Sequence, residues 1–260
     1  NSIAISSDDS ALANDDTYGR KNIAMGIDSL STVTSGSRNL GLGEEAGLNI
    51  STGTYNIALG SNALKGNFTS KLTGTHNTGI GFNSGKQVTS GSYNTFNGYG
   101  AGQNADNADN NIAIGKQAMS SGVIRGDDNI AVGTNALDSN TTGFNNVAAG
   151  IYALRFNTTG FKNIAIGENC LRSNSTGYVN TASGGEALYS NSTGNYNTAT
   201  GYLALRGNTT GTKNIGIGSG AGDSITTGSN NTVIGDLAGT TTMANTVLIG
   251  AGTTERLKID

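Results

Sequence analysis

Proline and tryptophan are absent from all 260 residues, and the chain holds one cysteine and one histidine. Each absence excludes something. Without proline, no residue is barred from donating a backbone hydrogen bond, so nothing interrupts a continuous ladder of strands. A single cysteine, Cys170, rules out an intrachain disulfide framework. With His76 as the one histidine, far from Cys170 in sequence, neither a Cys–His pair nor a Ser–His–Asp triad is expected to assemble. Charged residues make up 13 % and the net charge is −3, which leaves no basic face for nucleic acid. No apolar run approaches the ~20 residues that cross a bilayer, so no membrane insertion is expected. There is no leader pattern and no initial Met, which reads as a mature product or an excised fragment.

Aromatics are only 6 % and hydrophobic residues 35 %, too few to fill a thick core. The low charge argues equally against disorder, which needs low hydrophobicity together with high net charge. What remains is 41 glycines and an abundance of Asn, Thr, Ser and Ala. Such residues stack well in thin, regularly hydrogen-bonded layers.

An internal repeat organises them. Asn163-Ile-Ala-Ile-Gly167 returns as Asn180-Thr-Ala-Ser-Gly184, Asn197-Thr-Ala-Thr-Gly201 and Asn214-Ile-Gly-Ile-Gly218, each 17 residues after the last. Extended both ways, the asparagine falls at Asn22, Asn39, Asn56, Asn77, Asn94, Asn111, Asn129, Asn146, Asn163, Asn180, Asn197, Asn214, Asn231 and Asn245. The spacings are 17, 17, 21, 17, 17, 18, six of 17, then 14. A degenerate copy, Ser2-Ile-Ala-Ile-Ser6, opens the chain. The consensus is N-x-A-x-G-x-x-A-L-x-x-N-T-T-G-x-x, numbered below from the asparagine as position 1.

Ile164 and Ile166 alternate with Ala165 and Gly167, the period of a strand. A second short apolar strand is expected at Ala187-Leu188 and its equivalents, then a turn at Asn208-Thr-Thr-Gly211. The fold class expected is all-β: a β-solenoid or β-roll of about fifteen 17-residue coils, extending roughly 70 Å at the spacing of paired strands. Residues 1–21 form a degenerate N-terminal coil, 22–244 the repeat solenoid, and 245–260 a terminal coil linking to a further C-terminal region. Asn146, Asn163, Asn180, Asn197 and Asn214 are expected to form an amide ladder. Gly150, Gly167, Gly184, Gly201 and Gly218 close its corner.

Two apolar stripes compete for one thin interior. The first runs through positions 2 and 4, as in Ile112/Ile114, Ile164/Ile166 and Ile215/Ile217. The second is the leucine stripe, Leu137, Leu154, Leu171, Leu188 and Leu205. Whichever stays outside forms a long apolar strip, which a soluble monomer avoids. Packing against two sister chains removes it, so a homotrimer is expected.

The Asn22-Ile-Ala-Met-Gly26 unit and its copies resemble the repeat in the heads of YadA-type trimeric autotransporter adhesins. With Ala-Leu and Asn-Thr-Thr-Gly added, the unit is similar to repeat shafts of bacteriophage tail fibres and related bacterial trimeric fibres. Asn245-Thr-Val-Leu-Ile-Gly250 and Leu257-Lys-Ile-Asp260 are similar to the segment preceding an intramolecular chaperone domain in such fibres. The resemblance implies a structural fibre that attaches to a host cell, located on a virion or a bacterial surface, or else a pure spacer without its own receptor. The 17-residue unit is longer than the usual YadA-type coil.

No catalytic constellation, cofactor site or metal site is expected. Cys170 occupies an alanine slot, and His76 reads as a solvated loop residue. Gly98-Tyr-Gly-Ala-Gly102 falls on the repeat's own glycines, as does Arg125-Gly-Asp127. The Asn-x-Ser/Thr triplets at Asn140, Asn157, Asn174, Asn191 and Asn208 are repetitions of the turn. Thr198/Thr200 alone places threonine at both positions 2 and 4, too little for an ice-binding plane.

Ligands are sought where the sequence departs from its repeat. Phe144, Phe161 and Tyr178 share one position, with Tyr196 one place later, and such rings suit stacking on a cell-surface polysaccharide or glycan. A four-residue expansion at residues 65–73 adds Phe68 and Lys71. Asp106, Asp109, Asp127 and Asp128 lie on adjacent coils, and a calcium ion there is an open question.

Overall fold

The computed structural model describes residues 3–5, as backbone, and 21–259; the rest of the expected N-terminal coil lies outside the described residues. The described residues are all-β, without a helix, and divide into two compact units, Asn1–Asn129 and Ile130–Asp260. Each unit is a β-solenoid.

The first unit holds β1 (Ile3–Ile5), β2 (Ile23–Met25), β3 (Leu40–Leu42), β4 (Ile57–Leu59), β5 (Thr78–Ile80), β6 (Thr95–Asn97) and β7 (Ile112–Ile114). The second holds β8 (Ile130–Val132), β9 (Val147–Ala149), β10 (Ile164–Ile166), β11 (Thr181–Ser183), β12 (Thr198–Thr200), β13 (Ile215–Ile217), β14 (Thr232–Ile234), β15 (Val247–Ala251) and β16 (Thr254–Ile259). Within each unit, consecutive three-residue strands pair parallel and in register, as in Ile164↔Thr181 and Ala165↔Ala182. An in-register stack keeps every side chain above its own equivalent, so the two faces never mix.

Hydrogen bonds run from coil to coil in both directions. The Ile164 N–H donates forward to Asn180 O (2.8 Å), and the Gly167 N–H donates back to Ala149 O (2.8 Å). The expected second strand at Ala187-Leu188 does not form. Leu188 has φ +52°, its N–H donates to Ala204 O, and the segment is a turn. Leucine at position 9 is left-handed throughout, with Leu137, Leu154, Leu171 and Leu205 at φ +48° to +52°. That backbone turns the leucine inward and is incompatible with an extended strand. Position 5 is stricter. Gly167 has φ +135°, and a Cβ there would lie 2.6 Å from Gly184 O, so only glycine fits the corner.

The interior is narrow. Ala165 at position 3, position 8 and Leu171 at position 9 are fully buried, while Ile164 and Ile166 lie outside at 40 % and 48 % exposure. Of the two apolar stripes, leucine goes in and isoleucine stays out. Core volume is conserved between positions. Where position 3 grows to Phe96, the leucines around it are replaced by Gly85 and Gly102, whose added Cβ would lie 2.7 Å and 2.2 Å from the Phe96 ring. Both glycines keep φ +58°, close to that of the leucines they replace.

Asparagine at position 1 does what its four hydrogen-bonding valences allow. Asn163 Oδ1 accepts the backbone N–H and the Nδ2–H of Asn180 (3.0 and 3.2 Å). Its own Nδ2 donates to Asn146 Oδ1 (3.1 Å) and Gly177 O (2.8 Å). The same pattern joins Asn39, Asn56 and Asn77 in the first unit. Asn245 does not continue it. The register Thr232↔Val247 gives Asn231's place to Thr246, whose N–H donates to Asn231 Oδ1 (3.1 Å). Asn245 sits one residue earlier at φ +57°, at the left-handed site where asparagine is also favoured. Beyond it the expected terminal coil becomes a hairpin, with β16 returning antiparallel along β15.

The turn asparagines form a second ladder. Asn157, Asn174, Asn191 and Asn208 each donate Nδ2–H to the preceding Asn140, Asn157, Asn174 and Asn191 at 2.8–3.0 Å, and all five are fully buried. A glycan on these asparagines is therefore incompatible with the fold. In the first unit the same column is apolar, through Val33, Ile50, Val88 and Ile124.

Two outcomes follow for stability. Phe96→Ala is expected to cost about 3–5 kcal/mol in urea denaturation, as for other large-to-small core changes. Restoring the consensus with Gly85→Leu and Gly102→Leu should recover a measurable part of it. Asn180→Ala leaves the Asn197 N–H and Nδ2–H without their acceptor and should cost about 3 kcal/mol or more. Amide exchange of that variant should accelerate first in the coils flanking residue 180.

Candidate binding surfaces

Cys170 lies inside the second unit and donates its S–H to Ala182 O (3.3 Å). Ser84 makes the equivalent bond to Phe96 O (2.9 Å) in the first unit, so the slot accepts a small donor as readily as alanine. Burial pushes the Cys170 thiol up to about 12, against a smaller opposing effect of a backbone hydrogen bond at Ile166. A thiol so held is not a nucleophile near neutral pH.

His76 is exposed, but it does not stand alone in solvent. Its ring is sandwiched between Tyr55 (centroids 4.7 Å, 11°) and Tyr93 (4.9 Å, 9°), with the Arg38 guanidinium over Tyr55 at 5.0 Å. These residues all directly precede the ladder asparagine. Aligning the repeats on that asparagine exposes the column, which a coil-by-coil search for motifs passes over.

The expected aromatic stripe forms within the second unit. Phe144, Phe161 and Tyr178 stack face to face, with centroids 5.0 and 4.8 Å apart and planes within 5°. Tyr196 meets Tyr178 edge-on at 79°. The ring spacing equals the strand spacing of ~4.8 Å, so each inner ring face is covered by the next ring. Sugar stacking needs a free face, and this stripe offers mainly edges.

The aspartates serve stacking. Asp109 Oδ1 accepts the Ser92 N–H (2.7 Å), and Asp127 Oδ1 accepts the Asp109 N–H (2.8 Å). Asp106 accepts the Thr89 hydroxyl (2.7 Å) and faces Arg125 at 3.5 Å. Asp128 takes the left-handed site before the ladder asparagine. Both charged ends of Arg125-Gly-Asp127 are thus engaged within the chain. Among the described residues no group of three or more His, Cys, Asp or Glu side chains is disposed to hold a metal ion.

The expansion after position 9 of its coil puts Phe68 outside at 71 % exposure. It borders a groove of about 210 Å³ with Lys65, Gly66, Asn67, Lys86 and Gln87; Lys71 does not line it. Lys65 is paired with Glu45 at 2.6 Å. A second cavity, about 400 Å³, lies beneath the β15–β16 hairpin between Leu237, Met243, Leu248 and Lys258.

One surface was missed entirely. In the second unit position 10 of consecutive coils carries Asp138, Arg155, Arg172, Tyr189 and Arg206. The Arg155 guanidinium lies 5.0 Å from the Tyr152 ring and 4.9 Å from Phe156. That of Arg172 lies 5.1 Å from Phe156 and 5.5 Å from Tyr189. Arg206 donates Nε–H to Glu186 (2.8 Å), and this bond raises its basicity further. The signal was present as a repeated basic residue directly after the leucine.

No family model, curated protein or solved structure matches the chain.

Because native Cys170 keeps its proton until about pH 12 while the unfolded thiol ionises near 9.0, its contribution to stability is complete below pH 9 and lost as pH rises from 9 to 12. Cys170→Ala should flatten that part of the stability–pH curve. A thiol reagent at neutral pH should label the wild type only at the rate of unfolding.

Proposed function

We propose that the chain is a segment of a homotrimeric surface fibre, a viral tail fibre or bacterial adhesin shaft, whose task is mechanical reach and cell attachment rather than catalysis. The observation that carries this reading is the bare outer face of the parallel strands. It presents Ile23, Met25, Ile57, Ile112 and Ile114 in the first unit, and Ile130, Val132, Ile164, Ile166, Ile215, Ile217 and Ile234 in the second. Single exposed hydrophobics are ordinary, but in-register rows of them, interrupted at Thr95/Asn97, Thr181/Ser183 and Thr198/Thr200, mark an interaction surface. Two sister chains presenting the same rows offer a matching, commensurate cover. The fully satisfied amide ladders support a shaft, since each coil is tied to its neighbours and to nothing more distant. The covered ring faces of Phe144, Phe161 and Tyr178 favour a spacer role for that stripe over glycan stacking.

Light scattering coupled to size exclusion tests the reading. The expected mass is three times 26.2 kDa. Replacing Ile164, Ile166, Ile215 and Ile217 with lysine should reduce it to the single-chain mass with the β circular dichroism retained. A wild-type protein that runs as a single chain at micromolar concentration sinks the proposal.

A further inference from the structure

The arginine edge of the second unit is built unlike the rest of the surface. Arg206 is neutralised by Glu186, whereas neither Arg155 nor Arg172 has a carboxylate within ion-pair distance among the described residues. The two guanidinium groups belong to consecutive coils, so their side chains start one strand spacing apart, ~4.8 Å. Like charges so placed oppose one another. Rings hold them there. Phe156 contacts both cations, at 4.9 and 5.1 Å, and Tyr152 does so at 5.0 and 5.9 Å. Ring quadrupoles attract a cation without cancelling its charge. Arg172 Nη1 donates to the Tyr189 hydroxyl (2.7 Å), and the Nε–H groups of Arg155 and Arg172 are buried without an acceptor and out of a ligand's reach, so the Nη groups are the donors left to meet one. A guanidinium carries five donors in a planar fork suited to carboxylates.

We propose that Arg155 and Arg172, framed by Tyr152, Phe156 and Tyr189, bind the carboxylates of a linear uronate-bearing polysaccharide lying along this edge. The two cations sit in adjacent coils, one strand spacing apart, so a polymer with one carboxylate per sugar meets both. Asp138 precedes Arg155 in the same column but is buried; the ligand supplies the carboxylates that neither arginine finds within ion-pair distance, and it relieves the repulsion between them. A polynucleotide is disfavoured because the faces of Tyr152, Phe156 and Tyr189 are already engaged by guanidinium groups and offer its bases no stack. The site comes from one chain and lies off the strand face, so it does not rest on the trimer.

Retention of the full chain on immobilised polygalacturonate, compared with the fully methyl-esterified polymer, tests the proposal. The wild type should bind the acid form at low salt, lose it at high salt, and ignore the ester. Arg155→Gln/Arg172→Gln should weaken binding about tenfold or more, while Lys162→Gln/Lys213→Gln, which removes the same two charges elsewhere, leaves it unaltered. Should the double variant fail to fold, Arg172→Lys keeps the charge and removes the fork, and a severalfold loss is expected. No retention of the wild type, equal retention on the ester, or full affinity in the arginine variants overturns the proposal. Equally strong competition by oligodeoxythymidylate through the same arginines overturns it too, replacing the polysaccharide with a polyphosphate.

Discussion

Identity of cross-section from coil to coil is the constraint on which everything else rests. A backbone bond from Ile164 to Asn180, or an amide bond from Asn163 to Asn146, forms only if both coils place the same atom at the same point. Glycine at position 5 enforces this most sharply, because the carbonyl of the next coil occupies the space where a Cβ would stand. The buried asparagines enforce it chemically. A shift by one residue would leave several buried amide groups without their partners.

Deviations are tolerated only where they preserve that cross-section or leave it entirely. Phe96 is tolerated because Gly85 and Gly102 make room for it. The four-residue expansion is extruded as a surface loop carrying Phe68, and the ladder resumes at Asn77 with normal bond lengths. The left-handed residues are part of the same economy. Val179, a β-branched residue at φ +54°, is held in a costly conformation by an N–H bond to Phe161 O of the preceding coil. Strain at single residues is offset by bonds that the coil geometry makes available at every turn.

The same regularity accounts for the surfaces. Any side chain repeated at one position becomes a column at strand spacing, whatever its chemistry. Rings become closed stacks, isoleucines a bare apolar face, and arginines a row of cations interleaved with rings. A column of rings satisfies itself, since each face covers the next. A column of cations or exposed isoleucines does not, which is why the reading of function turns on those two.

From its order of residues alone, the chain declares a β-solenoid: the 17-residue period, the alternation about Ala165, the obligate glycine and the ladder asparagine are all legible in one dimension. Which stripe faces inward was not, because leucine and isoleucine are equally apolar and only the left-handed backbone at position 9 turns the leucine toward the axis. Asn245 was misplaced for a related reason, asparagine being favoured both in the ladder and at the left-handed site beside it. The Asn140–Asn208 column looked like a turn, though the apolar Val33, Ile50 and Val88 at its place in other coils mark that position as inward. Whether a ring presents a face or an edge, and whether an arginine finds a carboxylate, depends on where the coil points each side chain. Spacing in sequence sets which residues share a column; only the folded backbone sets their direction.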